Sequence, residues 1–406
     1  MLARGEAGQQ LAKPAARPRP PQWTALEIAT GYVFGAAGEK IPLEPSSKVG
    51  PLEALERAVR PALERPPCIV SFSGGRDSSC VLATATRVAR REGLEAPIPV
   101  TLRFPDAPEA EESDWQELVV RYLGLRDWEH LEVEDCYWIG PLAAPVLRRH
   151  GILLPPSTFA HWPIVAAARG GSLLTGYGGD LLFGGWRWRS LADPLARRRR
   201  PRPYDALRFA YAALPAALRT PRERRRQRVP AAPDWIRPAA RRRLLALAAR
   251  QAAHEPVWWR DWVRWRARGR SLNSSPWSLG LLADEADVLA VSPLSERGFV
   301  AALARAGGRL GFSDRTAAMI TVFDGVLPEA LLRRTSKASF DGIFWRGHSA
   351  DFAERWDGTG VDEAIVDPEA LRREWQAPQP DLRSALPLQA AWLAHQRHRD
   401  NSAAGR

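Results

Sequence analysis

Residues 71–85 read SFSGGRDSSCVLATA, and this stretch narrows the possible folds more than any other in the chain. Two glycines, an acid and a run of hydroxyls stand between an apolar pentad and a segment with helical periodicity. The pentad, residues 68–72, is short, rich in β-compatible side chains and preceded by Pro66 and Pro67, which predicts a buried strand. After the loop, Val81, Leu82, Ala85, Val88 and Ala89 recur at helical spacing, and Asp77, Ser78 and Ser79 suit a helix N-terminus. At such a junction several backbone N–H groups lack intrahelical partners and the helix dipole is positive, so an anion is favoured there. Gly74 and Gly75 let backbone come close to it. A glycine turn with capping serines is the plainer alternative.

A P-loop of the G-x-x-x-x-G-K-[ST] type supplies a lysine to the phosphates, whereas this loop has Asp77 near that place. An acid beside polyphosphate requires a bridging cation, and magnesium prefers carboxylate, phosphate and water oxygens. The segment Ser73-Gly-Gly-Arg-Asp-Ser-Ser79 resembles the pyrophosphate loop of enzymes that cleave ATP between its α and β phosphates. A second segment, Gly176-Tyr-Gly-Gly-Asp-Leu-Leu-Phe-Gly-Gly185, follows an apolar stretch at residues 172–175 and is similar to the glycine-rich acidic loop of the asparagine synthetase and β-lactam synthetase family. The resemblance continues near Asp284 and reaches residues 327–340, LPEALLRRTSKASF, similar to the family's lysine-bearing loop. It covers roughly residues 50 to 350, and it implies an adenine nucleotide alpha hydrolase-like (PP-loop) fold.

The residues outside the motifs give a compatible architecture. Strands are predicted at 68–72, 98–104, 128–133 and 172–175, and the connections carry helical stripes such as Trp115, Leu118, Val119, Tyr122 and Leu123. That alternation predicts an α/β fold: a parallel sheet with helices on both faces and ligands at the C-terminal strand ends. Both glycine motifs fall at such ends, so one ATP could touch both. Residues 1–22 are expected to be a flexible leader and 23–375 the synthetase domain. Within it, residues 186–275, rich in arginine and tryptophan, are expected to form a helical lobe. In that lobe Trp258, Trp259, Trp262 and Trp265 form a stripe, read as core or as an aromatic substrate wall. From Pro276 to about Trp375 the pattern reads as helices, and 376–406 as a partly loose tail.

Composition excludes some classes. No apolar run approaches the roughly 18–20 residues that span a bilayer, and no signal-peptide core opens the chain, so a cytoplasmic protein is expected. Cys68, Cys80 and Cys136 lack metal-ligand spacing and read as small core residues. The net charge of +12 comes almost wholly from arginine. The runs at 197–200 and 224–226 could face an acidic partner, but a solvated face is the commoner outcome, and no specific nucleic-acid partner is expected.

The resemblance implies a chemistry. A carboxylate attacks the α-phosphorus of ATP, pyrophosphate leaves, and ammonia or an amine then displaces AMP to form an amide. Asp77 and Asp180 match the family's magnesium-binding aspartates. The loop at Ser73, Gly74, Gly75, Asp77, Ser78 and Ser79 would hold phosphates, and Phe72, Leu102, Thr175 and Gly176 match residues lining the adenosine. Lys337 matches the catalytic lysine, and it is the only lysine after Lys48 in a chain that otherwise uses arginine. Tyr177 stands where β-lactam synthetases have a tyrosine working with a glutamate to take a proton. No acid lies at a matching distance; Glu255 is the candidate, and a packing role for Tyr177 stays open. Leu181 replaces the acid that commonly follows the metal aspartate. Some 65 residues before the loop cannot hold the family's glutaminase domain, so the nitrogen would come from ammonia, a substrate amine or a separate amidotransferase. The acid substrate would be a small-molecule or peptide carboxylate. An RNA-modifying adenylating enzyme and a non-catalytic nucleotide binder are the rival readings.

Overall fold

The computed structural model describes residues 22–37, 48–105, 107, 110–226, 232–336 and 342–404. The expected leader therefore lies outside the described residues except for Gln22. Five parallel strands form one sheet: β1 (Cys68–Ser71), β2 (Ile98–Arg103), β3 (Glu129–Glu132), β4 (Ser172–Leu174) and β5 (Leu289–Val291), in the order β3-β2-β1-β4-β5. Strand β1 lies beside both β2 and β4, pairing Ile69 with Ile98 and with Leu173. The chain order reverses between β1 and β4, and at such a switch point the strand ends diverge and leave a crevice for a ligand.

Alternate residues of the sheet feed opposite cores. Cys68 and Val70 of β1, with Leu174 of β4, face a cluster built on helices Pro51–Leu63, Arg76–Glu92 and Arg297–Gly307. Ile69 and Leu173 face the other cluster, with helices Ala143–His150, Trp162–Ala167 and the end of Arg270–Glu285. Burial on both faces is what a parallel sheet requires, and fully burying each such aliphatic side chain is worth about 1.5–3 kcal/mol. All three cysteines are buried and free.

Residues 186–275, expected to form a helical lobe, carry the helices Arg189–Leu195, Pro203–Ala213, Ala216–Arg226, Pro238–His254 and Trp259–Ala267. Its tryptophans are chiefly core: Trp259 and Trp262 are buried and in ring contact, and Trp259 also meets Trp186 and Phe312. Two expectations need correction. Strand β5 falls where only helices were predicted, because three residues are too few to carry a period. The expected loose tail contains the helix Ala385–Ala404, whose Leu386, Leu388, Gln389 and Leu393 are buried. Gln389 donates to the carbonyls of Trp138 (3.0 Å) and Pro156 (3.1 Å). Apolar residues surround the first turns of that helix, so the sequence shows no face contrast to mark it. Among the described residues no helix is long and apolar enough to cross a membrane.

Candidate active site

The first loop leaves β1 and enters helix Arg76–Glu92 through Gly75 as N-cap, with Asp77 in the first turn. Its conformation is held by hydroxyls. The Ser73 N–H donates to Ser78 Oγ (3.3 Å), the Gly75 N–H donates to Ser73 Oγ (3.3 Å), and Ser78 Oγ donates to the Gly75 carbonyl (3.1 Å). Gly74 adopts φ 77, a left-handed conformation that side chains with a Cβ rarely take. Gln116 reaches from helix Ser113–Leu123 to the Ser73 carbonyl (3.1 Å).

The second loop leaves β4, and Gly176 brings it directly against the first. A Cβ on Gly176 would lie 2.7 Å from the Ser78 nitrogen and 2.9 Å from the Asp77 carbonyl carbon. This contact puts the two aspartates within reach of one guanidinium. Arg315, first residue of helix Arg315–Phe323, donates Nη2 to both Asp77 oxygens (2.8 and 2.9 Å) and Nη1 to Asp180 Oδ1. Burial pushes Asp77 up to about 6; Arg315 opposes that shift and the neighbouring Asp180 charge adds to it.

The donor set suits a magnesium ion. Two carboxylates converge at the mouth of a phosphate-type loop, and among the described residues no group of three or more His, Cys, Asp or Glu could hold a metal unaided. Carboxylates completed by phosphate and water oxygens are how magnesium is commonly held.

Two cavities meet here, sharing Ser71, Ser73 and His161. The larger, about 730 Å³, is lined by Phe72, Leu102, Arg103, Ile164 and Phe344 among others. The smaller, about 360 Å³, holds Gly75, Asp77, Ser78, Thr175, Gly176, Tyr177 and Asp180. Most residues singled out from the sequence are thus brought together. Phe72 is 1% exposed, packs in the core and borders the larger cavity. Thr175 Oγ1 is fixed by Ser292 Oγ (2.9 Å). Ser79 is a correction: it is wholly buried and lines neither cavity, since it sits on the inward side of the helix. Lys337 lies outside the described residues, but Arg334, Thr335 and Ser336, immediately before it, line the smaller cavity.

Tyr177 has a partner that sequence reasoning missed. Its hydroxyl lies 3.0 Å from His161 Nε2. Burial pushes His161 down to about 4, opposed by the carbonyls of Thr158 and Ser157, while burial raises the Tyr177 phenol, so at neutral pH both are uncharged. Glu255, the earlier candidate, instead pairs with Arg187 (3.1 Å) in the helical lobe. Arg76, Arg315 and Arg334 were missed as well. Arg76 donates to Thr316 Oγ1 (3.1 Å) and the Leu332 carbonyl (3.3 Å), and Arg334 donates to the Gly74 carbonyl (3.2 Å), pairs with Glu112 and covers the Trp115 ring. Nothing local separates these from the other arginines, although Arg76 lies inside the loop motif and Arg334 beside the lysine. The 197–200 run is partly structural: Arg199 holds Asp205 (2.7 Å) and Arg198 caps the Leu310 carbonyl (3.3 Å).

A search of curated proteins found no match to this chain. Residues 52–396, most of its length, match the sequence family described as Asparagine synthase. That family is one of ATP-dependent ligases and its members use ATP. With the loop pair at the switch point of a parallel PP-loop sheet and a family match spanning both loops, the chain belongs to the asparagine synthase family.

Proposed function

We propose that this protein is an AMP-forming amide ligase that adenylates a carboxylate and passes the acyl group to ammonia or an amine, acting in the cytoplasm where ATP is at hand. One observation carries the reading: two loops a hundred residues apart in sequence converge so that Asp77 and Asp180 share the Arg315 guanidinium beside the Phe72–Leu102 cavity. In this reading the adenosine lies along Phe72 and Leu102 in the larger cavity, and the phosphates meet the amides of residues 73–78. Asp77 and Asp180 would hold magnesium, which neutralises the triphosphate and the departing pyrophosphate. The carboxylate oxygen bonds to the α-phosphorus as the bond to the bridging oxygen of pyrophosphate breaks. Arg76, Arg315 and Arg334 surround that charge, and Lys337, next in chain after the cavity-lining Ser336, stabilises the α-phosphate and then the tetrahedral oxyanion.

In the second half the amine nitrogen attacks the acyl carbon, AMP departs, and one proton must be removed. Tyr177 accepts that proton as it hands its own to His161 Nε2. Burial makes His161 a weak base in the free protein, and the negative charge of bound nucleotide raises its proton affinity when it is needed. The acid substrate is a small molecule or a peptide carboxylate, and the nitrogen is that of ammonia or an amine.

The test is carboxylate-dependent exchange of labelled pyrophosphate into ATP over a panel of amino acids and acidic peptides. Asp77→Asn and Asp180→Asn should each abolish it while the fold persists. Because burial already disfavours the Asp77 carboxylate, its neutral isostere costs little stability. Exchange at the normal rate in either variant would refute the metal assignment. Adenylation of a transfer RNA in place of a carboxylate would refute the reaction class.

A further inference from the structure

Arg315 occupies the space between the two aspartates in a way that a structural ion pair does not require. Its backbone is pinned, because Asp314 caps the helix by accepting from the Ala317 N–H (2.8 Å). Its side chain is held differently. Nη1 and Nη2 reach Asp180 and both Asp77 oxygens, while Nε is buried without a hydrogen-bond partner among the described residues. The guanidinium is therefore anchored at its tip by the same oxygens that suit a divalent cation. A fork-shaped +1 group and a +2 ion cannot share those oxygens without strong repulsion. A polyphosphate chain on the loop offers the guanidinium a second anion within a side chain's reach.

We propose that Arg315 is a placeholder cation: it keeps a lone divalent cation out of the Asp77–Asp180 pair and yields the position only when polyphosphate arrives to receive the guanidinium. Metal and nucleotide then enter together, and the carboxylates are never left facing each other unneutralised. The identity of the polyphosphate rests on the ligase reading, but the placement of Arg315 does not. In the same motion the guanidinium passes from the aspartates to the phosphates of the bound chain.

The experiment uses the full chain, manganese as the metal, inorganic pyrophosphate as the polyphosphate, and no turnover. Manganese binding is followed by electron paramagnetic resonance of the free ion. The wild type should bind manganese alone weakly, and Arg315→Gln should bind it at least about tenfold more tightly. Adding Asp180→Asn to that variant should remove the gain. Thermal melts give a second readout: the wild type is stabilised only by manganese and pyrophosphate together, the variant by manganese alone. Arg315→Lys, which keeps the charge and loses the fork, should fall between them and decides the matter if the glutamine variant fails to fold. Equal manganese affinity in wild type and variants, or no gain on replacing the arginine, overturns the proposal. Failure of every carboxylate to support pyrophosphate exchange would sink the ligase reading and leave this comparison standing.

Discussion

A methyl group at position 176 has nowhere to go. Built on the observed backbone, the Cβ of Gly176→Ala would sit 2.7 Å from the Ser78 nitrogen, 2.9 Å from the Asp77 carbonyl carbon and 3.1 Å from Ser78 Cα. All three are backbone atoms at the start of helix Arg76–Glu92, so no side chain can swing aside. The nearest contact is about 0.7 Å short of ordinary van der Waals separation, and the two loops must part by about that much. Overpacking of this size costs about 1–3 kcal/mol, which in a chain of this length lowers Tm by about 1–4 °C. The functional loss should be larger, because Asp180 moves away from Asp77, and a misplacement approaching 1 Å can cost about 10²-fold in rate. The assay pairs a thermal melt with calorimetric binding of magnesium-ATP and with pyrophosphate exchange. Gly298→Ala is the control: it lies in the first turn of helix Arg297–Gly307 where, among the described residues and apart from its own helix backbone and chain neighbours, nothing lies within 4 Å of an added Cβ, and it should be neutral or stabilising by up to about 1 kcal/mol. If Gly176→Ala melts like the control and keeps its ATP affinity, the close approach of the loops is not what assembles the site.

Lys337→Arg keeps the charge, yet a planar guanidinium misplaces its donors against a reorganising α-phosphate. Exchange should fall by about 10²- to 10³-fold while ATP affinity changes little, and near-normal exchange would return Lys337 to an ordinary surface lysine. Tyr177→Phe keeps the ring and removes the hydroxyl facing His161, so amide formation should slow by about 10²-fold with adenylation intact. Equal loss in both half-reactions would mean that the ring only packs. Asp77 is held up at about 6, and an acid loses its charge as pH falls through its pKa. Magnesium-ATP affinity should therefore be level above about pH 7 and weaken about tenfold per unit below pH 6, and a flat profile down to pH 5 would show that Asp77 is not a ligand.

The sequence by itself determined the pieces whose physics is local. A strand, a glycine turn and a helix N-terminus are set by adjacent residues, so both loops were legible, as were their acids and four of the five strands. The Tyr177 position and the tryptophan stripe were legible for the same reason. The tertiary structure alone decided what those pieces meet. Strand order 3-2-1-4-5 lays β4 against β1, and that adjacency, invisible in either motif, brings Asp180 to Asp77. Arg315 is one arginine in a chain crowded with them, and it becomes special only by folding 238 residues back onto Asp77. His161 stands in a short turn with no periodic pattern, and its proximity to Tyr177 depends on how that turn packs over the end of β4. Glu255 was drawn away from the site by Arg187 in the lobe. Local propensity is written in neighbouring residues, whereas an ion pair or a shared proton needs two distant backbones to be parked within about 3 Å, and only the packed sheet and its helices do that.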